Sequence, residues 1–208
     1  HMNEGHSAFL ALERVRQTMK EQNLTFQQAR EVTRAGLIFT THTPVPAGLE
    51  RFGFDLIDEH FTDYFRELNL TRKEFIDLGR EDMGDYELFS MAVLAQNLSA
   101  MYNGVAKLHG RVSRHMWQWM YPRVPSREIP ISSVTNGIHM QSWVSGEMAS
   151  LFDRYLHPAW RTEEDNPDIW ADVQNIPNSE LWRTHARRRE RLVAFCRRRL
   201  RRQLQRRG

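Results

Sequence analysis

The sequence holds a single cysteine, Cys196, so no internal disulfide can form and a zinc site built on several thiolates is excluded. No apolar run approaches the roughly 20 residues needed to cross a bilayer. The opening, His1-Met2-Asn3-Glu4-Gly5-His6, lacks the basic leader and apolar stretch of a secretory signal, so a cytoplasmic, reducing compartment is the expectation. The chain does not open on Met, which fits either a cloning remnant or a piece of something longer. There is no Gly-rich phosphate loop of the nucleotide-binding kinds and no Gly-x-Ser-x-Gly elbow around any serine. Internal repeats are missing too.

What is present suits a folded α/β protein. Hydrophobic residues make up 40% of the 208 positions and aromatics 11%, enough to bury a sizeable core. The net charge of +3 hides a division. From Leu181 to Gly208 there are twelve arginines against one glutamate, so the rest of the chain is acidic. A basic tail is a weak argument for nucleic acid. No aromatic stacking platform is interleaved with these arginines, and the expectation is a solvated or interdomain helix with no nucleic-acid partner.

Periodicity places the elements. Ala8, Phe9, Leu12, Val15 and Met19 recur at helical spacing, which predicts a helix over Ser7–Lys20 with Ser7 as N-cap. Thr25-Phe26-Gln27-Gln28 is a capping box opening a second helix towards Arg34. Leu37-Ile38-Phe39-Thr40-Thr41 predicts a buried strand. It runs into His42-Thr43-Pro44-Val45-Pro46-Ala47-Gly48, where two prolines bar either element from continuing. A helix, a strand and then a loop bearing a His is the order of an α/β sheet, whose ligands gather beyond the carboxyl ends of its strands.

Phe54 to Leu68 predicts an amphipathic helix, and Thr71-Arg72-Lys73-Glu74 a second capping box. Gly79 to Asp85 is expected to be loop, Leu88 to Tyr102 the most apolar helix, Ala106 to about Trp119 another, and Ile129 to Thr135 a strand. The tail sets Trp182, Ala186, Val193, Cys196, Leu200 and Leu204 on one face, so Cys196 is expected to be a packed thiol.

Several residue sets invite chemistry. His1, Glu4 and His6 suggest a metal, but histidines five apart sit roughly 140° around a helix, whereas helical zinc pairs need i and i+4. No metal is expected. Ser99, His109 and Asp85 could be assembled into a triad, yet no nucleophile elbow supports it. By residue type alone, His42 and Asn103 are more often structural than catalytic.

Their company changes that. Four segments resemble the α-glucan (glycogen and starch) phosphorylases of the shorter bacterial and archaeal type, in the family's order. They are Asn3-Glu4-Gly5-His6-Ser7-Ala8-Phe9, the run from Phe39 to Gly48, Tyr102-Asn103-Gly104-Val105-Ala106-Lys107-Leu108-His109, and Val134-Thr135-Asn136-Gly137-Ile138-His139 followed by Trp143. The tail from Glu190-Arg191-Leu192-Val193 fits as well, so the resemblance covers essentially the whole chain.

The resemblance implies a mostly helical α/β piece of an enzyme with two Rossmann-like domains, the glycosyltransferase type B architecture. Residues 1–108 would belong to the first, glucan-binding domain and 109–208 to the opening helices of the second, pyridoxal phosphate domain. Each would leave apolar faces uncovered. It also implies retaining phosphorolysis of an α-1,4-glucan by orthophosphate to glucose 1-phosphate, in a parent that carries pyridoxal 5′-phosphate and forms a homo-oligomer. Carried over by position, His42 would be the catalytic residue, contacting the glucosyl hydroxymethyl group with its carbonyl near the anomeric carbon. Asn103 would bind another glucose hydroxyl, and Glu4 and His6 would line the acceptor side. Asn136, Gly137 and Trp143 would serve interdomain packing. The family's glycine-rich phosphate loop, cofactor lysine and orthophosphate-binding Lys-Arg pair are not encoded here, so the chain alone is expected to be inactive. The alternatives are a starch-synthase-like glycosyltransferase segment and a non-enzymatic helical module that binds polyanions through its arginines.

Overall fold

The computed structural model describes residues 1–43, 45, 48–82 and 87–206. The loop expected at Pro44, Pro46 and Ala47, and the stretch Met83–Tyr86 including Asp85, lie outside the described residues. The protein is mixed α/β, with helix predominating and a parallel sheet. It forms two compact units, His1–Asn136 and Gly137–Gly208.

In the first unit the parallel sheet is built from β1 (Met2–Asn3), β2 (Ile38–Thr41), β6 (Met101–Gly104) and β7 (Ile131–Ser133), in the order β1-β2-β6-β7. Its register sets Asn3 against Thr40, Thr40 against Asn103 and Asn103 against Ser132. A second, antiparallel sheet places β5 (Glu87–Ser90) between β3 (Arg51–Phe52) and β4 (Arg80–Asp82). Parallel neighbours need crossover connections, and helices supply them. Between β1 and β2 run α1 (Phe9–Gln22) and α2 (Phe26–Arg34); α3 (Phe54–Glu67), α4 (Arg72–Gly79) and α5 (Met91–Leu98) precede β6; α6 (Lys107–Met116) links β6 to β7.

Local signals that need only neighbouring residues act as expected. Thr25 and Gln28 cap each other reciprocally, and so do Thr71 and Glu74. Each satisfies two orphan N–H groups, and losing such a threonine costs about 1 kcal/mol. α1 starts differently from expectation. A 3₁₀ turn covers Gly5–Ser7, and the Ser7 hydroxyl donates to the Glu4 carbonyl at 2.8 Å instead of capping the helix. The helix ends at Asn23, in the left-handed region at φ 52°.

Two expectations fail between residues 79 and 104. The predicted loop at Gly79–Asp85 contains strand β4, paired with β5 from Arg80 to Asp82. The predicted helix over Leu88–Tyr102 is strand, helix and strand, and only Met91–Leu98 is helical. The reason is burial. Met91 to Gln96 are all buried, so no polar face marks the period, and pairing with β2, β3, β4 and β7 decides the flanks.

The core of the unit is aromatic. Phe61 stacks on Phe9 at 4.5 Å and on Phe75 at 5.7 Å, and Phe75 on Phe89 at 5.8 Å. Gly79 permits this, because a Cβ there would lie 2.7 Å from the Phe89 ring. Beneath the small sheet Arg51 Nε and Nη2 both donate to the Glu81 carboxylate at 2.8 Å. Both side chains are largely buried, which demands that paired geometry.

The second unit holds α7 (Met140–Trp143), α8 (Gly146–Tyr155), two 3₁₀ stretches at Pro158–Arg161 and Pro167–Asn175, and α9 (Asn178–Gln205). Its core is Phe152, Trp160 and Trp170 in edge-to-face contact. Each indole N–H is satisfied, Trp160 by Asp153 and Trp170 by the Glu164 carbonyl. The first half of α9 is tied to α8 by Arg154 and Tyr155 on Glu180 and by Arg188 and Arg191 on Glu147.

The apolar stripe of α9 is exposed, with Trp182 at 66% and Leu204 at 60%. Cys196 is exposed with it, contrary to the packed thiol expected. Helical periodicity identifies a face suited to burial and says nothing of what covers it. Trp143 is 80% exposed. No helix among the described residues is long and apolar enough to cross a membrane.

Candidate functional site

The carboxyl ends of β1, β2 and β6 bring together Glu4, His42, Asn103 and His109. Three arrive there through their strands and His109 through the helix that follows β6. Glu4 follows β1, and its N–H continues the ladder by donating to the Thr40 carbonyl at 2.9 Å. His42 follows β2, Asn103 lies in β6 opposite Thr40, and His109 stands in the first turn of α6.

Glu4 is the organising residue. Its backbone adopts φ 70° and ψ 170°, a region occupied essentially by glycine. Such strain, on the order of 1–3 kcal/mol, persists only where the surroundings hold it. Here they do. Glu4 Oε1 accepts the N–H of His42 at 2.6 Å and of Thr43 at 2.7 Å, while the Ser7 hydroxyl donates to its carbonyl. The other carboxylate oxygen, Oε2, is buried and has no partner among the described residues.

This clamp has a geometric consequence. The Thr43 N–H and the His42 carbonyl belong to one planar trans peptide and point in opposite directions. Fixing the N–H on Glu4 therefore aims the His42 carbonyl away from Glu4. The carboxylate also sits at the positive end of that peptide dipole. The His42 side chain itself is exposed.

Asn103 is oriented by the strand beside it. The Thr40 hydroxyl donates to Asn103 Oδ1 at 2.9 Å and is itself 2.8 Å from His1 Nε2. Among the described residues Asn103 Nδ2 reaches the Gly104 carbonyl alone, at 3.3 Å, so a second amide hydrogen can serve a ligand. His6 goes elsewhere. Its ring is 67% exposed and lies 3.8 Å from the Glu50 carboxylate. The three residues weighed as a metal set thus turn to three different partners, Thr40, the His42–Thr43 backbone and Glu50. No cluster suited to a metal occurs among the described residues.

Of the triad set weighed from sequence, Ser99 is buried and donates to the Ala95 carbonyl at 2.6 Å. His109 has a different place. Its Nδ1 accepts the Val105 N–H at 3.2 Å, and its Nε2 is buried without a partner among the described residues. Burial pushes its pKa down, the Glu4 charge pulls it up, and His42 pushes it down again. Glu4 and His42 are therefore its electrostatic neighbours. A Cβ on Gly104 would lie 3.0 Å from His109 Nδ1 and 2.9 Å from the Gly110 nitrogen, so only glycine lets the ring approach. The sequence offered His109 only as a member of an unsupported triad, not as a residue of this site. The available signal was its position three residues after the N-cap Ala106, from which a side chain reaches back to the preceding N–H groups.

The donor set is a carboxylate, two imidazoles and an amide, with no cation. It suits the hydroxyls of a neutral sugar and is poorly suited to holding a phosphate group.

The carbohydrate phosphorylase family model matches residues 1–205. The chain is 37% identical to a maltodextrin phosphorylase from Thermococcus litoralis over 200 residues, covering 96% of this chain and 23% of that protein. It is 36% identical to a glycogen phosphorylase from Mycobacterium tuberculosis, covering 97% and 23% respectively. A glycogen phosphorylase from Aquifex aeolicus is 31% identical, with 93% and 27% covered. The chain spans about a quarter of the length of these curated relatives. A match over nearly its entire length, on the strand ends that carry Glu4, His42 and Asn103, makes this chain a member of the carbohydrate phosphorylase family.

Proposed function

We propose that the chain acts as a segment of an α-1,4-glucan phosphorylase and supplies part of its sugar cleft. The observation that carries this reading is the Glu4 clamp on the backbone of His42 and Thr43, set beside Asn103 in a chain of this family.

The reaction class is retaining phosphorolysis, with orthophosphate displacing the terminal glucose as glucose 1-phosphate. The developing oxocarbenium ion calls for negative charge or aimed carbonyls nearby. The His42 carbonyl, aimed by Glu4, serves as such a dipole, while the His42 ring binds the glucosyl hydroxymethyl group. Asn103 offers its free amide hydrogen to another hydroxyl. Glu4 and His6 border the acceptor side, Glu4 through its unpartnered oxygen and His6 from its exposed position.

Pyridoxal 5′-phosphate belongs to this reading through the parent enzyme, where its phosphate would supply proton and charge chemistry. The residues of this chain at the strand ends do not fit it, since they include a carboxylate and no cation. Its site and the orthophosphate site would lie in other parts of the parent. Within that parent, residues 1–108 would close the glucan-binding domain and 109–208 would open the cofactor domain, whose remainder would cover the α9 stripe. The parent would be a cytoplasmic homo-oligomer. The relatives' names favour phosphorolysis over nucleotide-sugar transfer or a polyanion-binding module.

The test is glucan kinetics of the full-length protein and two variants. Asn103→Ala should raise the glucan KM and lower kcat/KM by roughly 10- to 100-fold, as expected for a lost hydrogen bond to substrate. His42→Ala should lower kcat as well. Variants with unchanged kinetics would place the sugar elsewhere.

A further inference from the structure

Where β2 and β6 stop pairing, the next N–H groups along each are captured by side chains. Glu4 Oε1 takes those of His42 and Thr43, and His109 Nδ1 takes that of Val105. Each capturing group has a second polar atom, Glu4 Oε2 and His109 Nε2, and both are buried without a partner among the described residues. Thr41 lies opposite Gly104 where the ladder ends, so the captured N–H groups of His42 and Val105 come from adjacent strands at the same sheet end, and the Glu4 charge acts on His109 there.

Their chemistry is complementary. Because Nδ1 accepts the Val105 N–H, a neutral His109 carries its proton on Nε2 and presents a donor. Glu4 Oε2 is an acceptor. They are not bonded to each other, and leaving either unmet is costly. A group that satisfies both must accept from an N–H and donate to a carboxylate. A hydroxyl does this. Phosphate is repelled by Glu4, and an ammonium cannot accept from Nε2–H.

We propose that His109 is a positioning residue of the sugar site: it anchors Val105 through Nδ1 and shares one hydroxyl, of a water or of the bound sugar, between its Nε2–H and Glu4 Oε2. The sugar arm rests on the phosphorylase reading; the water arm does not.

Two substitutions separate the two tasks of the ring. His109→Asn keeps an acceptor where Nδ1 stood and lacks the Nε2–H. His109→Gln keeps a donor near the Nε2 position and lacks the acceptor. In the full-length protein, the Asn variant should hold its Tm while its glucan KM rises about tenfold, the loss expected for one buried hydrogen bond. The Gln variant should lose Tm and largely keep KM. A role limited to anchoring Val105 would give the opposite pattern and would overturn the proposal.

Crystals of the full-length protein with and without a maltooligosaccharide identify the hydroxyl. An oxygen within hydrogen-bond reach of both atoms in the sugar-free crystal, replaced by a sugar hydroxyl in the complex, supports the sugar arm. The same oxygen retained in both supports the water arm. Its absence from both crystals overturns the proposal. If the protein phosphorolyses no α-glucan, the functional reading fails, while the sugar-free crystal still decides the water arm.

Discussion

Thr40 and Asn103 face each other across the β2–β6 ladder, and the Thr40 hydroxyl donates to Asn103 Oδ1 at 2.9 Å. A residue inside one strand thereby sets the amide of a residue on the next, leaving an Asn103 N–H for a ligand. Thr40→Val keeps the β-branched shape and removes the donor. It should weaken glucan binding by the full-length protein several-fold, about 1 kcal/mol, and leave the fold intact. Isothermal titration with a maltooligosaccharide measures this; unchanged affinity would mean Asn103 is oriented by other means.

Glu4 makes an unusual prediction about stability. Glu4→Ala loses two charge-assisted hydrogen bonds and keeps the strained backbone at φ 70°. Glu4→Gly loses the same bonds but relieves the strain. Glycine should therefore be the more stable of the two variants, by about 1–2 kcal/mol, although glycine ordinarily costs entropy. Urea denaturation ranks them, and alanine being the more stable would contradict the clamp.

The pair beneath the small sheet should be asymmetric to mutation. Glu81→Ala removes the carboxylate that accepts two Arg51 hydrogen bonds in a largely buried site and should lower stability. Arg51→Met with Glu81→Leu should recover most of that loss. A double variant as unstable as the single one would show that Arg51 and Glu81 do not act as a unit.

Acid should act through Glu13 among other groups. The hydrogen bond from Arg16 holds the Glu13 carboxyl down at about 2, against an ordinary 4.5. Its folded pKa is below its unfolded one, so its contribution is full above pH 4.5 and fades as pH falls towards 2. Arg16→Met should flatten the stability profile in that window and leave its neutral-pH slope unchanged. An acid limb identical to that of the parent sequence would remove Glu13 from the account.

How much of this was legible in the sequence depended on range. The capping boxes at Thr25 and Thr71 need only four consecutive residues, and both form as expected. The strand bearing Thr40 and Thr41 was legible from its β-branched run, and with it the position of His42 just beyond the strand's end. The stretch Leu88–Tyr102 was not, because Met91–Gln96 at its centre are all buried and leave no polar face to show the period. The positive φ of Glu4 was illegible in principle, since it is imposed by partners about 38 residues away along the chain. Cys196 shows the limit from the other side: its stripe was legible and its cover was not.

The most direct measurement is orthophosphate-dependent release of glucose 1-phosphate from maltodextrin, by the full-length protein and by the 208-residue chain. The account predicts release by the first, reduced in the His42→Ala variant, and none by the second. Release by the 208-residue chain would contradict the claim that it supplies only part of the cleft, and no release by the full-length protein would contradict the phosphorylase reading itself.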